Sequence, residues 1–222
     1  MRYLDLLTAL FATVLLVSNV ASTKLVVLGP FTFDGGTLLF PLAYIFGDVL
    51  TEVYGYRKSR RVIWIGFFAL LLATLTFQAV AHLPAPPDAE SQRFGEAFGL
   101  LLGLTPRIVL GSLLAYFLGE FANAYVLAKL KVRTEGRSFW LRALASTLVG
   151  QGLDTGVFLL VAFYGVFPKE VLLAVFLSNY AFKLGVEALM LPFTYAVVGF
   201  LKRAEGMDAY DRDTDFNPFR LT

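Results

Sequence analysis

Stretches of about 20 mostly apolar residues, long enough to cross a bilayer core at helical rise, recur six times. They cover residues 4–20, 37–54, 62–81, 108–130, 143–167 and 171–201. Inside a bilayer every backbone N–H and C=O must be satisfied within the protein, so segments of this length fold as helices. Charged residues make up only 16% of the chain, against about 25% in soluble domains, and mean hydropathy is +0.68. The expected fold class is an all-α membrane protein of six transmembrane helices. It forms a single domain over residues 1–203, followed by a polar, acidic tail over residues 204–222 that is expected to be loose. The first stretch has the outline of a signal peptide. Asp5 in its charged region and Asn19 after its apolar core favour an uncleaved first span instead.

The connections differ in kind. Residues 23–36 hold β-branched residues around Gly29-Pro30 and predict a short hairpin between the first two helices. Gly35-Gly36 and Phe40-Pro41 predict irregular backbone where the second span begins. The proline-rich loop over residues 83–106 has room for a short interfacial helix over residues 95–104. Pro192 offers a bend in the long last span. Lys and Arg set the orientation. They crowd one set of ends: Arg2; Arg57, Lys58, Arg60 and Arg61; Lys129, Lys131, Arg133, Arg137 and Arg142; Lys202, Arg203, Arg212 and Arg220. The opposite ends hold Lys24, Arg93, Arg107 and Lys169. Both termini are therefore expected in the cytoplasm of a bacterial inner membrane, with the hairpin facing outward.

Several function classes drop out. A net charge of +2 is too small to imply a nucleic-acid partner. With no cysteine and one histidine, His82, no thiolate or zinc site is expected. No cofactor and no metal are expected. No nucleophile–base pair and no Walker-type glycine loop is apparent, so the chain is not expected to be an enzyme or to hydrolyse ATP by that route.

What remains is polarity inside the apolar stretches, where an ionisable side chain costs about 2.5–3.5 kcal/mol at the centre. The second stretch carries Asp48 and Glu52, the fourth Glu120 and Asn123, the fifth Gln151 and Asp154, the sixth Asn179, Lys183 and Glu187. Spacings of three or four residues put each set on one helix face. Asp48, Glu120, Asp154 and Lys183 all fall about 16–18 Å into their spans, near the midplane. Acids outnumber the one lysine, which invites a cation, a proton or a ligand rich in hydrogen-bond donors. Interhelical hydrogen bonds alone would account for one amide per helix, not for this set. Phe40, Tyr44, Tyr116, Tyr180 and Phe182 flank it and offer stacking surfaces as well as ordinary packing.

Three groups of residues carry a resemblance. The first runs Phe31-Thr32-Phe33-Asp34-Gly35-Gly36, Leu39-Phe40-Pro41-Leu42 and Gly47-Asp48-Val49-Leu50-Thr51-Glu52-Val53-Tyr54-Gly55. The others are Ala145-Ser146-Thr147-Leu148 with Asp154-Thr155, and Asn179-Tyr180 followed by Phe182-Lys183. Together they resemble the VUT (YhhQ) family of queuosine-precursor transporters, over nearly the whole chain. The resemblance implies import of 7-cyano-7-deazaguanine, 7-aminomethyl-7-deazaguanine or queuine. It also implies a fold similar to the substrate-binding subunits of energy-coupling-factor vitamin transporters, with an outer loop closing over the ligand. A carboxylate can accept both donors on a deazaguanine edge, and a lysine or amide can donate to its carbonyl. Asp154, Asp48 or Glu120 could take the first role and Lys183, Gln151, Asn123 or Asn179 the second, with Asn19 closing the site. Asp154 and Lys183 are placed first for their matching depth. The alternative is a binding subunit for a small planar, vitamin-like ligand that needs a partner ATPase module. Oligomeric state and any energising partner stay open. The partners expected are the 7-deazapurine substrate and the lipid bilayer.

Overall fold

The computed structural model describes residues 1–28, 31–104 and 106–220, and for residues 25, 28, 31–34, 37, 40 and 41 the backbone alone. Helix α1 is Leu4–Ala21, and strands β1 (Leu25–Leu28) and β2 (Phe31–Asp34) follow. They pair antiparallel in the register Leu25↔Asp34 to Leu28↔Phe31. The Gly29-Pro30 turn expected between them lies outside the described residues. A 3-10 helix over Gly35–Leu38 leads into α2 (Phe40–Tyr54). Then come α3 (Tyr56–Ala81), α4 (Ala89–Leu102), α5 (Pro106–Arg133), α6 (Phe139–Phe163) and α7 (Lys169–Glu205).

Among the described residues, α1, α3, α5, α6 and α7 are long and apolar enough to cross a membrane. They turn leucines outward: Leu72, Leu173 and Leu189 are 69%, 58% and 77% exposed. A soluble protein would aggregate through such a surface; in a bilayer it is the solvated face. Helix α4 begins earlier than the sequence predicts because Asp88 caps it, its side chain accepting from Ser91 N at 2.8 Å. At the end of α3 the His82 ring stands 2.8 Å from the Gln78 carbonyl.

Helix α2 is the innermost element. Asp48, Val49, Leu50, Thr51, Glu52 and Val53 are all at most 1% exposed. Gly55, at φ 82°, turns the chain from α2 into α3, a conformation that suits glycine. Helices α5 and α6 meet along small residues. An added Cβ on Gly119 would lie 2.8 Å from Asp154 Cβ, and one on Gly150 would lie 2.8 Å from Asn123 Cβ. Small residues let two backbones approach closely, and this seam sets Asp154 against α5.

The segment after Ala204, expected to be loose, is instead strapped across the end of the bundle where the termini meet. Ala209 N donates to Val53 O at 3.1 Å. Tyr56 N donates to Asp211 Oδ2 at 2.9 Å, and Trp64 Nε1 to Pro218 O at 2.8 Å. Arg60 donates to the Asp215 and Asn217 carbonyls at 2.9 and 2.6 Å. Phe216 packs on Tyr56 with ring centroids 4.8 Å apart. The sequence misleads here because acidic, polar composition reads as solvated chain, whereas each of these tail carbonyls and carboxylates meets a donor on α3, and α2 accepts from the tail through Val53 O.

Partial burial pushes the Asp208 carboxyl up, but hydrogen bonds from Lys131 and Lys202 outweigh it and hold it below the ordinary range. Asp215, bonded by Arg220 and by Asn217 N, is also held low. With the folded value below the unfolded one, this contribution is complete above about pH 3.9 and is lost as pH falls through the folded value. The tail is therefore expected to come loose as pH drops below about 4. Trp64 emission in a Trp140→Phe variant would report it, and an unchanged signal down to about pH 2 would show that these carboxylates do not hold the strap.

Candidate functional site

A cavity of about 630 Å³ opens toward the hairpin end and is lined by α1, α2, α3, α5, α6 and α7. That size falls within the usual range of small-molecule sites. Helix α1 presents Ser18 and Asn19, and Ser22 at its C-cap follows one turn after Ser18. Its C-terminal end is held by the 3-10 helix, where Ser18 Oγ donates to Gly36 O at 3.1 Å. Tyr44 enters from α2, and Tyr116 and Glu120 from α5. Tyr116 is anchored on the Ile63 carbonyl at 3.0 Å. Helix α6 supplies Asp154, Thr155 and Phe158, and α7 supplies Asn179, Phe182 and Lys183.

At the floor, Lys183 Nζ donates to Asp154 Oδ2 at 3.0 Å and to Thr155 Oγ1 at 3.3 Å. The two side chains keep 22% and 30% exposure, so this pair is reachable from the cavity. Glu120 stands beside it without an ion-pair partner among the described residues. Its carboxylate overlies Gly47, where an added Cβ would come 3.4 Å from Glu120 Oε2. The floor thus presents carboxylate acceptors and an ammonium donor between aromatic walls.

Of the residues singled out from sequence, the structure brings Asn19, Tyr44, Glu120, Asp154, Asn179 and Lys183 to this cavity, with Tyr116 and Phe182. Asn179 stands at its exposed rim. The side chain of Phe40 lies outside the described residues. Asp48, Asn123 and Gln151 do not line the cavity. They are buried beneath it, Asn123 Nδ2 donating to Asp48 Oδ1 at 3.2 Å. Tyr180 turns away, stacking on Phe176 at 5.4 Å and donating to Leu148 O at 2.8 Å.

Glu52 departs most from the sequence reading. It sits one turn of α2 nearer the tail and meets three cations from three helices. Arg142 Nη1 is 2.5 Å from it, Lys202 Nζ 2.7 Å and Lys131 Nζ 3.6 Å. Arg142 and Lys131 are each 1% exposed. Both read in sequence as orienting charges at the ends of spans, and both are core. The acid excess is therefore smaller than the composition of the spans suggests.

Ser18, Ser22, Ser112, Thr155 and Phe158 line the cavity but were not singled out. Helical phase carries the signal: Ser112 is two turns from Glu120, and Phe158 one turn from Asp154.

A family model described as "Putative vitamin uptake transporter" matches residues 34–197. The chain belongs to this family. A "Probable queuosine precursor transporter" of Bacillus subtilis (strain 168) is 36% identical over 188 residues, covering 84% of this chain and 80% of that protein. The "Queuosine precursor transporter" of Escherichia coli (strain K12) is 27% identical over 168 residues, covering 73% and 71%. A "Probable queuosine precursor transporter" of Haemophilus influenzae is 26% identical over 166 residues, covering 73% and 67%. No solved structure matches significantly. As a vitamin uptake transporter family member with five long apolar helices, the protein is a multi-pass membrane transporter, and the matched segment contains the whole of α2, α5 and α6.

Proposed function

We propose that the chain imports queuosine precursors across the bacterial cytoplasmic membrane and binds their 7-deazaguanine base in the cavity described above. The observation that carries this reading is the cavity floor, where Asp154, Glu120 and Lys183 stand together between Tyr44, Tyr116, Phe158 and Phe182. A deazaguanine edge offers an amino group and a ring N–H beside a carbonyl oxygen. Glu120 or Asp154 accepts the two donors, and Lys183 donates to the carbonyl. Aromatic walls suit a planar ligand. The names of the three relatives support the same substrate class.

The hairpin faces outward in this reading, and both termini are cytoplasmic, in line with the crowding of Lys and Arg at the tail end. The 3-10 helix and α2 together reach about 30 Å and make the sixth crossing.

In a host that lacks precursor synthesis, the wild-type chain is expected to restore queuosine in tRNA at low external precursor. Asp154→Asn and Lys183→Met are each expected to cut initial uptake about 10- to 100-fold, the cost of one charged hydrogen bond. Unchanged uptake by both variants would remove this floor from the binding site. Running the assay in a host without energy-coupling-factor modules separates a stand-alone importer from a binding subunit that needs a partner ATPase.

A further inference from the structure

Beneath the cavity lies a second polar group that the floor does not use. Asp48 on α2 is fully buried, and Glu187 on α7 is 2% exposed. Their carboxyl groups come within hydrogen-bonding reach of each other. Among the described residues no Lys, Arg or His nitrogen stands within ion-pair distance of either carboxyl. The cations nearest in the fold are committed: Arg142, Lys131 and Lys202 to Glu52 and Asp208, and Lys183 to Asp154 and Thr155. Among the described residues, nothing donates to Asp48 Oδ2 or Glu187 Oε1, nor to the oxygens of Asn123, Gln151 and Thr147, all three at most 5% exposed. Asn123 is tied to Asp48 through its own amide nitrogen, so its orphan oxygen belongs to the same group.

Buried polar atoms in folded proteins almost always find a partner. Here the orphans are oxygens, and the two carboxylates repel unless something positive joins them. One proton between Asp48 and Glu187 removes their repulsion and gives the pair a hydrogen bond, the arrangement by which carboxyl pairs share a proton elsewhere.

We propose that the Asp48–Glu187 pair is a proton-binding site, filled from the cavity and emptied toward the tail end, that couples substrate import to the proton gradient. The proposal rests on the importer reading above. Position supports it: Glu120 overlies Gly47, next to Asp48, on the cavity side, and Glu52 follows one turn farther along α2 on the tail side. A proton arriving through the cavity meets Glu120 first and leaves beside Glu52. The titratable and charged groups around the pair are Tyr44 and Glu52 on α2, Glu120 on α5, Asp154 on α6 and Lys183 on α7. Helices α1 and α3 contribute apolar side chains such as Phe11, Ile63 and Leu70 to the core at this side. Substrate on the floor changes the field at Asp48 through Glu120 and Asp154, which makes proton and substrate occupancy interdependent.

Purified protein in liposomes tests this with labelled 7-aminomethyl-7-deazaguanine. For one proton per substrate, an inside-alkaline gradient of one pH unit is expected to give about tenfold accumulation, abolished by a protonophore and indifferent to replacing sodium by choline. Asp48→Asn and Glu187→Gln are expected to lose the gradient-driven accumulation and keep substrate counterflow. Wild-type protein in weak buffer is expected to take up about one proton per substrate bound, read with a pH dye; this measurement needs no variant. Counterflow without any response to the pH gradient overturns the proton site alone, as does accumulation that requires sodium, or gradient-driven accumulation retained by both variants. Absence of binding and counterflow in the wild type overturns the importer reading and the proton site with it.

Discussion

Arg142→Ala is expected to lower unfolding stability by about 3–5 kcal/mol, the cost of stripping one partner from a buried ion pair. Arg142 is the largest fully buried side chain among the described residues, and it makes two bonds to the Glu52 carboxylate, at 2.5 and 3.2 Å. Two more reach the Arg137 and Gly136 carbonyls at 3.1 Å each. Alanine leaves a cavity and four acceptors short of a donor. Lys202 and Lys131 remain near Glu52, and they soften the loss without filling the space. Chemical unfolding in detergent would measure the effect. Adding Glu52→Gln to Arg142→Ala is expected to deepen the loss rather than relieve it, because Lys131 and Lys202 then lose the carboxylate they share. A wild-type-like midpoint for Arg142→Ala would mean that the Glu52 hub does not hold the tail end together.

The second large effect is expected at the α5–α6 seam. Gly119→Leu forces a side chain into a contact where even a Cβ would lie 2.8 Å from Asp154 Cβ and 3.0 Å from the Gly150 carbonyl. The obstacle is another helix's backbone and Cβ, neither of which can rotate away. The helices must separate, at a cost of about 3 kcal/mol. The same displacement moves Asp154 from Lys183, so uptake should fall with stability. Gly199 is the internal control, since an added Cβ there meets nothing within 4 Å. Gly199→Ala is expected to be neutral or to stabilise by up to about 1 kcal/mol. Equal thermal midpoints for Gly119→Leu and Gly199→Ala would refute close packing at the seam.

Much of the site is legible in the amino-acid sequence. Glu120, Asp154 and Lys183 announce themselves as charges deep in apolar stretches, and helical phase assigns each to an inward face. Phase is a property of one helix at a time, and it says nothing of which inward faces meet. Asp48 and Glu120 sit at equal depth in their spans, yet Glu120 lines the cavity and Asp48 lies sealed below it against Asn123 and Glu187. The glycines of the seam are also visible in the sequence. What they pack against is not.

Apolar length alone determined that the chain is a helical membrane protein, because a bilayer offers the backbone no other partner than itself. Basic residues at one set of ends determined an expected orientation for a different reason: their charge resists transfer across lipid. Only the tertiary structure decided how charge is balanced. Lys131, Arg142 and Lys202 lie 79, 90 and 150 residues from Glu52 in the chain and converge on it, while the acidic tail returns to cover them. Coulomb energy and hydrogen bonding depend on distance in space, and sequence separation carries no record of that distance.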